Sequence, residues 1–263
     1  MRLDVYLTEM GLAKSRSKAA ECIEGGFVLV NGRRVTKVSL AVGEGDTVEV
    51  TGKPYDFVSR GGVKLDGALE GFGIDVAGST ALDIGASTGG FTDCLLKRGA
   101  GRVYAVDSGK GQLDESLRGD PRVISMEGFN ARELSPTSIP EPCGIIVSDL
   151  SFISQTLILP AVPAVSTEDA VLISLIKPQF ECGREALNKN GIVKDKKFHT
   201  SAIKKVLSAA AVSGFVPIGL MRSSITGGDG NIEYLYYAKR GLSPTDGRRI
   251  TDGEIREVVN ESH

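Results

Sequence analysis

Four charged side chains in this 263-residue chain stand where the strands and helices of an open sheet would begin or end. Asp149 closes the apolar run Val147-Ser-Asp149, and Lys177 closes Leu175-Ile-Lys177. Glu233 falls at the start of the last apolar run, 232–238, and Lys64 lies in a helical pattern ahead of the first strand. Two lysines and two carboxylates can hold and move a proton. A second ammonium and loss of water both depress a lysine's pKa and make it a usable base. Neighbouring carboxylates oppose that depression and instead orient the amines. A second group is the turn Thr80-Ala-Leu-Asp-Ile-Gly-Ala-Ser-Thr-Gly-Gly-Phe91. Its glycines let backbone approach a ligand with no Cβ in the way. Cysteine nucleophilic chemistry fits poorly. Cys143 precedes the fourth strand, at the wrong edge of the sheet, and reads as a small buried residue; Cys182, past the fifth strand, is a somewhat better placed but still weak candidate. No two of Cys22, Cys94, Cys143 and Cys182 form a C-x-x-C pair, and there are two histidines, so no metal site is expected.

The elements that must position these groups follow from apolar periodicity. Strands are expected at 81–84, 103–106, 123–125, 144–148, 170–176, 216–221 and 232–238, roughly seven in all. Helical patterns lie at 61–72, 89–98, 110–118, 153–165 and 198–212. That alternation is a doubly wound α/β sheet, whose ligand edge lies at the carboxyl ends of the parallel strands. The spacing of Gly85, Gly89 and Gly90 fails the dinucleotide fingerprint, because Ser87 occupies the second glycine position; no Gly-Lys-Ser/Thr follows for a P-loop. Asp107 ends the second strand, where a carboxylate can accept both hydroxyl protons of a ribose. Asn130 follows the third strand, where a polar contact to an adenine is expected.

Ahead of this lies a smaller unit, 1–53, joined by a linker, 54–60. Residues 2–10 and 15–25 read as helices, with Ser15 as N-cap. Asn31-Gly32 between apolar runs predicts a hairpin, and 47–50 a further strand. Lys14, Arg16 and Lys18 crowd a helix start, and Arg33 and Arg34 sit at the hairpin. With Lys37 these make six basic residues between Met10 and Leu40 against Glu21 and Glu24, a local net charge of +4. The whole chain has net charge -2, so the other residues carry -6. That clustering suits phosphate. Hydrophobic residues at 41% and charged residues at 24% are ordinary for a globular protein. No secretory leader or membrane-length apolar run is present, which predicts a soluble, cytoplasmic protein with no membrane contact.

Several stretches carry resemblances. Ala13-Lys-Ser-Arg-Ser-Lys-Ala19 with Gly26-Phe-Val-Leu-Val-Asn-Gly-Arg-Arg-Val35 resembles the S4 RNA-binding domain, an α+β module. Asp83-Ile-Gly-Ala-Ser-Thr-Gly-Gly90 resembles the first motif of S-adenosylmethionine-dependent methyltransferases. Lys64, Asp149, Lys177 and Glu233, in that order, resemble the tetrad of FtsJ-like ribose 2′-O-methyltransferases. With Phe57-Val-Ser-Arg-Gly-Gly-Val-Lys-Leu65, Ser148-Asp-Leu-Ser-Phe-Ile-Ser154 and Ile176-Lys-Pro-Gln-Phe-Glu181, the whole chain is similar to the TlyA family, often labelled haemolysin.

The resemblance implies a Rossmann-like methyltransferase domain over 61–263. Its seven-stranded sheet would have an antiparallel last strand, which returns Glu233 to the ligand edge. It implies S-adenosylmethionine held by Asp83, Gly85, Ser87, Gly89, Gly90, Phe91, Asp107, Asn130 and Asp149. Ribosomal RNA or ribosomal subunits would be the partner, and a cytidine 2′-hydroxyl the acceptor. Lys177 would serve as base and Lys64 would steer hydroxyl and phosphate, with Asp149 and Glu233 orienting both. Lys14, Arg16, Lys18, Arg33 and Arg34 would touch RNA. So would part of 178–197, which carries Arg184, Lys189, Lys194, Lys196 and Lys197 and would order on binding. The family's linker often holds a tryptophan where this chain has Tyr55-Asp-Phe57, and the chain has no Trp at all. Other readings are a membrane-active haemolysin, an RNA-binding protein without catalysis, and a pseudouridine synthase suggested by Arg2-Leu-Asp4. Missing spanning segments oppose the first and the intact tetrad the second. The place of Arg2-Leu-Asp4 in the first helix opposes the third.

Overall fold

A computed structural model describes residues 1–242 and 249–261. The chain divides into two compact units, Met1–Asp56 and Phe57–His263. Residues 57–60, in the stretch read as a linker, belong to the second.

In the first unit two helices, α1 (Leu3–Glu9) and α2 (Arg16–Glu24), accompany an antiparallel sheet. Its strands are β1 (Val28–Val30), β2 (Arg33–Val35) and β3 (Val48–Val50), in the order β2-β1-β3. Leu3, Leu7, Ala19, Ile23, Val28 and Val42 form its core. The Ser15 side chain accepts from Lys18 N and caps α2. Asn31 and Gly32 both have positive φ, as a tight hairpin of this hand requires.

The second unit holds seven strands in the order β6-β5-β4-β7-β8-β10-β9. They are β4 (Thr80–Ile84), β5 (Arg102–Asp107), β6 (Val123–Glu127), β7 (Cys143–Ser148), β8 (Ser166–Ile176), β9 (Phe215–Arg222) and β10 (Tyr234–Arg240). Strands β4 to β8 pair in parallel, and β10 runs antiparallel to both β8 and β9. This is the sheet expected from the apolar runs, with the expected antiparallel last strand. The helices are α3 (Arg60–Phe72), α4 (Gly90–Lys97), α5 (Glu115–Arg118), α6 (Pro178–Glu181), α7 (Lys196–Val212) and α8 (Asp252–Asn260). Two apolar clusters surround the sheet, one built with Leu65, Leu69, Phe91 and Leu95, the other with Ile203, Val206, Phe215 and Ile255. From β4 the chain winds to one side through β5 and β6, then returns to β7 and continues on the other. The crevice outside the carboxyl ends of β4 and β7 is the switch point where such sheets bind ligands.

Some expected elements differ. The helix expected over 153–165 is two 3-10 segments, Gln155–Leu157 and Leu159–Val165. Pro160 and Pro163 have no N–H to give an α-helical ladder. The helix expected over 110–118 shrinks to α5. Glu127 Oε1 takes the amides of Gln112 at 2.6 Å and Leu113 at 3.1 Å, and Asp114 caps what remains. The stretch 178–197, part of which is expected to touch RNA, has local structure. It holds α6, a 3-10 turn at Arg184–Ala186 and a bridge between Leu187 and Val193. Buried polar groups pin it. Asn231 accepts from Val193 N at 3.1 Å, and His199 Nε2 meets the Val193 carbonyl at 2.9 Å. A carbonyl can only accept, so Nε2 carries the proton and Nδ1 accepts from the Tyr234 hydroxyl at 3.0 Å.

Candidate active site

Strand β4 gives way to a turn at Gly85, whose φ is +86°, and a Cβ there would lie 2.6 Å from the Asp149 carbonyl. Asp149 N in turn donates to the Ile84 carbonyl at 3.0 Å, so the turns after β4 and β7 are bonded backbone to backbone. At Gly90 a Cβ would meet Ser59 Oγ at 2.1 Å and Gly62 N at 2.9 Å. The start of α3 therefore rests directly on the start of α4. The result is a cleft of about 150 Å³ walled by bare backbone and small side chains. Of the groups singled out by sequence, Gly85, Ser87, Gly90, Phe91, Asp149 and Lys177 line it, joined by Ser59 and Ser151.

Other predicted binding residues stand behind this wall. Asp83 is fully buried and its Oδ2 accepts from Thr92 Oγ1 at 2.7 Å, while Oδ1 has no partner. Burial pushes its carboxyl up to about 7, with Thr92 opposing and the Asp149 charge adding. A carboxyl raised in the folded state binds a proton that the unfolded chain has released. The contribution of Asp83 to folding stability therefore falls as pH rises from about 4 to about 7. Against Asp83→Asn, wild-type stability should fall across that window and run parallel above it. Urea titrations from pH 4 to 8 would show this, and a pH-independent difference would refute it.

Asp107 receives Ser87 N at 2.8 Å and Gly109 N at 2.7 Å, one on each oxygen. It ties the glycine turn to the loop after β5, and each oxygen keeps a lone pair for a ligand. Gly89, with φ +93°, backs against Leu113 and Leu117. Asn130 is engaged with its own turn. Its Oδ1 accepts from Arg132 N at 3.1 Å to cap a 3-10 turn, its Nδ2 donates to Glu133, and it does not line the cleft. A short polar side chain before a turn bonds to its own backbone first.

The four charged groups form two ion pairs. Lys177 Nζ lies 2.6 Å from Asp149 Oδ1 and donates to Ser151 Oγ at 2.8 Å, at the cleft. Lys64 Nζ lies 2.6 Å from Glu233 Oε2, with side chains 9% and 3% exposed, outside the cleft lining. The turn before β10 closes over this pair, and a Cβ on Gly227 would meet Glu233 Oε1 at 2.6 Å. Cys143 is fully buried and its thiol is pushed up to about 12, which leaves it protonated. Among the described residues no group of three or more His, Cys, Asp or Glu could hold a metal ion.

Two of the stretches that carry the family resemblance meet in an aromatic contact. Phe152, three residues past Asp149, is 91% exposed and has φ +64°. Its ring leans on Phe180, centroids 5.0 Å apart, and Lys177 Nζ lies 5.9 Å from the Phe180 ring. Left-handed backbone at a non-glycine residue costs energy, so the placement of this ring is held by its surroundings.

In the first unit Lys14, Arg33 and Arg34 are exposed. Arg16 pairs with Asp4 at 2.8 Å, and the Asp4 carboxyl is pulled down to about 2 by Arg2 and Arg16. Lys18 is held by Glu21 at 3.0 Å and the Tyr55 hydroxyl at 2.7 Å. Arg16 and Lys18 are thus partly neutralised by their own unit.

Sheet order, antiparallel β10 and glycine-walled cleft define a doubly wound methyltransferase preceded by a small RNA-binding module. The FtsJ-like methyltransferase model matches residues 57–240 and the S4 domain model residues 1–48. The 16S/23S rRNA (cytidine-2′-O)-methyltransferase TlyA of Mycobacterium tuberculosis is 41% identical over 262 residues, covering 96% of this chain and 98% of that one. Hemolysin A of Brachyspira hyodysenteriae is 44% identical over 236 residues, 89% of this chain and 98% of that one. A solved structure of a hemolysin-named protein from Streptococcus thermophilus superposes with a TM-score of 0.78 at 40% identity, covering 98% of this chain and 94% of that one. The chain belongs to the TlyA family of FtsJ-like methyltransferases. Among the described residues no helix is long and apolar enough to cross a membrane.

Proposed function

We propose that this protein methylates the 2′-hydroxyl of a cytidine in ribosomal RNA, with S-adenosylmethionine as donor. The observation that carries the reading is Lys177, paired with Asp149 at a cleft lined by Gly85, Ser87 and Gly90 at the carboxyl edge of the sheet. The close packing at Gly85 and Gly90 fixes the turns that shape this cleft, and the second lone pairs on Asp107 suit the ribose hydroxyls of a nucleoside. S-adenosylmethionine supplies an electrophilic methyl group when bound. Lys177 Nζ takes the acceptor hydroxyl proton once its own proton has passed to solvent. Asp149 and Ser151 fix the direction of the amine. Glu233 holds Lys64 at a fixed place behind the cleft lining. Positioning then does much of the work. The test is transfer of label from S-adenosylmethionine to unmodified ribosomal subunits, followed by alkaline hydrolysis. Resistance at one cytidine supports the reading, and label on bases or none on either subunit refutes it.

The RNA side has two supports. Arg33, Arg34 and Lys14 of the first unit offer exposed cations, and Arg184, Lys189, Lys194, Lys196 and Lys197 do so on the folded connection after β8. Phe152 on Phe180 offers an aromatic face beside the proposed base, suited to a nucleobase taken out of its stack. Phe152→Ala should weaken productive RNA binding by ~1–3 kcal/mol and leave cofactor affinity unchanged. Steady-state KM for subunits beside calorimetric cofactor titration reads this; an unchanged KM would discard the stacking role.

A further inference from the structure

Glu181 closes α6, the turn that follows Lys177, and is 6% exposed. Its carboxylate is bonded wholly to other elements. Oε1 accepts the Gln155 amide at 2.8 Å and Oε2 accepts the Ser154 hydroxyl at 2.5 Å. Both donors lie on the loop after β7, the loop that carries Asp149, Ser151 and Phe152. Lys205 of α7 donates to the Glu181 carbonyl at 2.9 Å and stands 3.4 Å from Oε2. Gln155, itself 3% exposed, anchors the same loop to β8. Its Nε2 donates to the Leu175 carbonyl at 2.6 Å and its Oε1 accepts from Ser174 Oγ at 2.7 Å.

The two loops are therefore joined at two levels. On the cleft side Lys177 reaches Asp149 and Ser151; behind it Glu181 reaches Ser154 and Gln155. The Phe152–Phe180 contact links the same two segments. Without the rear joint, the Gln155 amide would be left buried and unpaired, and the front joint would be an ion pair between two loops free to part. We propose that Glu181 is a positioning residue. Its buried carboxylate clamps the loop after β7 to the turn after β8, and so sets Lys177 against Asp149 and Phe152 against Phe180. The proposal rests on the methyl-transfer reading for its effect on turnover, and on geometry alone for its effect on the loops.

The chain lacks tryptophan, so Phe152→Trp provides a single indole fluorophore on the clamped loop. In that background Glu181→Ala should lower the tryptophan fluorescence anisotropy. In the wild-type background it should reduce kcat about 100-fold, the cost of a displacement near 1 Å, with cofactor Kd unchanged. Glu181→Gln should restore most of both, because its carbonyl oxygen still accepts from Gln155 N and its amide can donate to a turned Ser154 hydroxyl. Ser154→Ala removes one donor without touching the carboxylate, and should give a smaller loss of the same kind if Glu181→Ala does not fold. Wild-type kcat in Glu181→Ala, an anisotropy in the Phe152→Trp background that Glu181→Ala leaves unchanged, or a Gln variant no better than Ala would each overturn the proposal. Failure of the wild-type protein to methylate RNA would instead overturn the functional reading, and the anisotropy comparison would still judge the clamp.

Discussion

Lys177→Ala should bind S-adenosylmethionine like the wild type and transfer methyl ~10²–10⁴-fold more slowly, the range for removal of a positioned base. The side chain lines the cleft, so its loss leaves the glycine wall and Asp107 intact. Lys177→Arg separates two roles. Arginine keeps a cation for Asp149 but does not deprotonate in proteins. If Lys177 acts only by its charge, arginine should restore turnover; if it takes the proton, arginine should be as slow as alanine. Single-turnover transfer to ribosomal subunits with saturating enzyme reads the chemical step, and full turnover in Lys177→Ala would dismiss the proposed mechanism.

The second large effect is on stability. Lys64 and Glu233 are both nearly inaccessible to water and 2.6 Å apart. Removing one leaves the other as an unpaired buried charge, at a cost of ~3–5 kcal/mol. Lys64→Met alone and Glu233→Gln alone should each melt well below the wild type. For a domain of this size that means a fall of roughly 6–20 °C. The double variant, with no charge left to strand, should recover most of the loss while turnover stays low. Calorimetric melting of the four proteins tests this. Single variants that melt with the wild type would mean that water reaches the pair.

Much of this arrangement could be read from local signals. Asn31-Gly32 fixed the hairpin, and 81–84 with its glycine turn fixed the first crossover. The apolar runs that end at Ser148 and Ile176 put Asp149 and Lys177 at neighbouring strand ends. What stayed hidden depends on contacts between distant segments. Nothing local pairs Lys64 with Glu233 and Lys177 with Asp149, instead of the reverse. Nor does anything local say that Glu181, one more acidic residue on a polar turn, is buried and fully bonded. The exposure of Phe152 and its left-handed backbone cannot be read from the residue type. The error over 153–165 has a plain cause, since apolar spacing survives in a 3-10 segment while the prolines forbid the α-helix. Asn130 caps a turn through the same side-chain oxygen that a ligand contact would use.

Antiparallel β10 bears on how the molecule is made. It leaves the ribosome after β9, yet takes its place between β8 and β9. Until it arrives, both of those strands present an unpaired edge, a form prone to wrong pairing. The carboxylate that neutralises Lys64 stands just before β10, 169 residues further along the chain. At synthesis rates of about 5–20 residues per second, a nascent chain spends roughly 8–34 seconds with that lysine made and its partner not. The two halves of the site thus mature at different times. The glycine turn and Asp107 can form early, while the buried ion pair waits for the last strand.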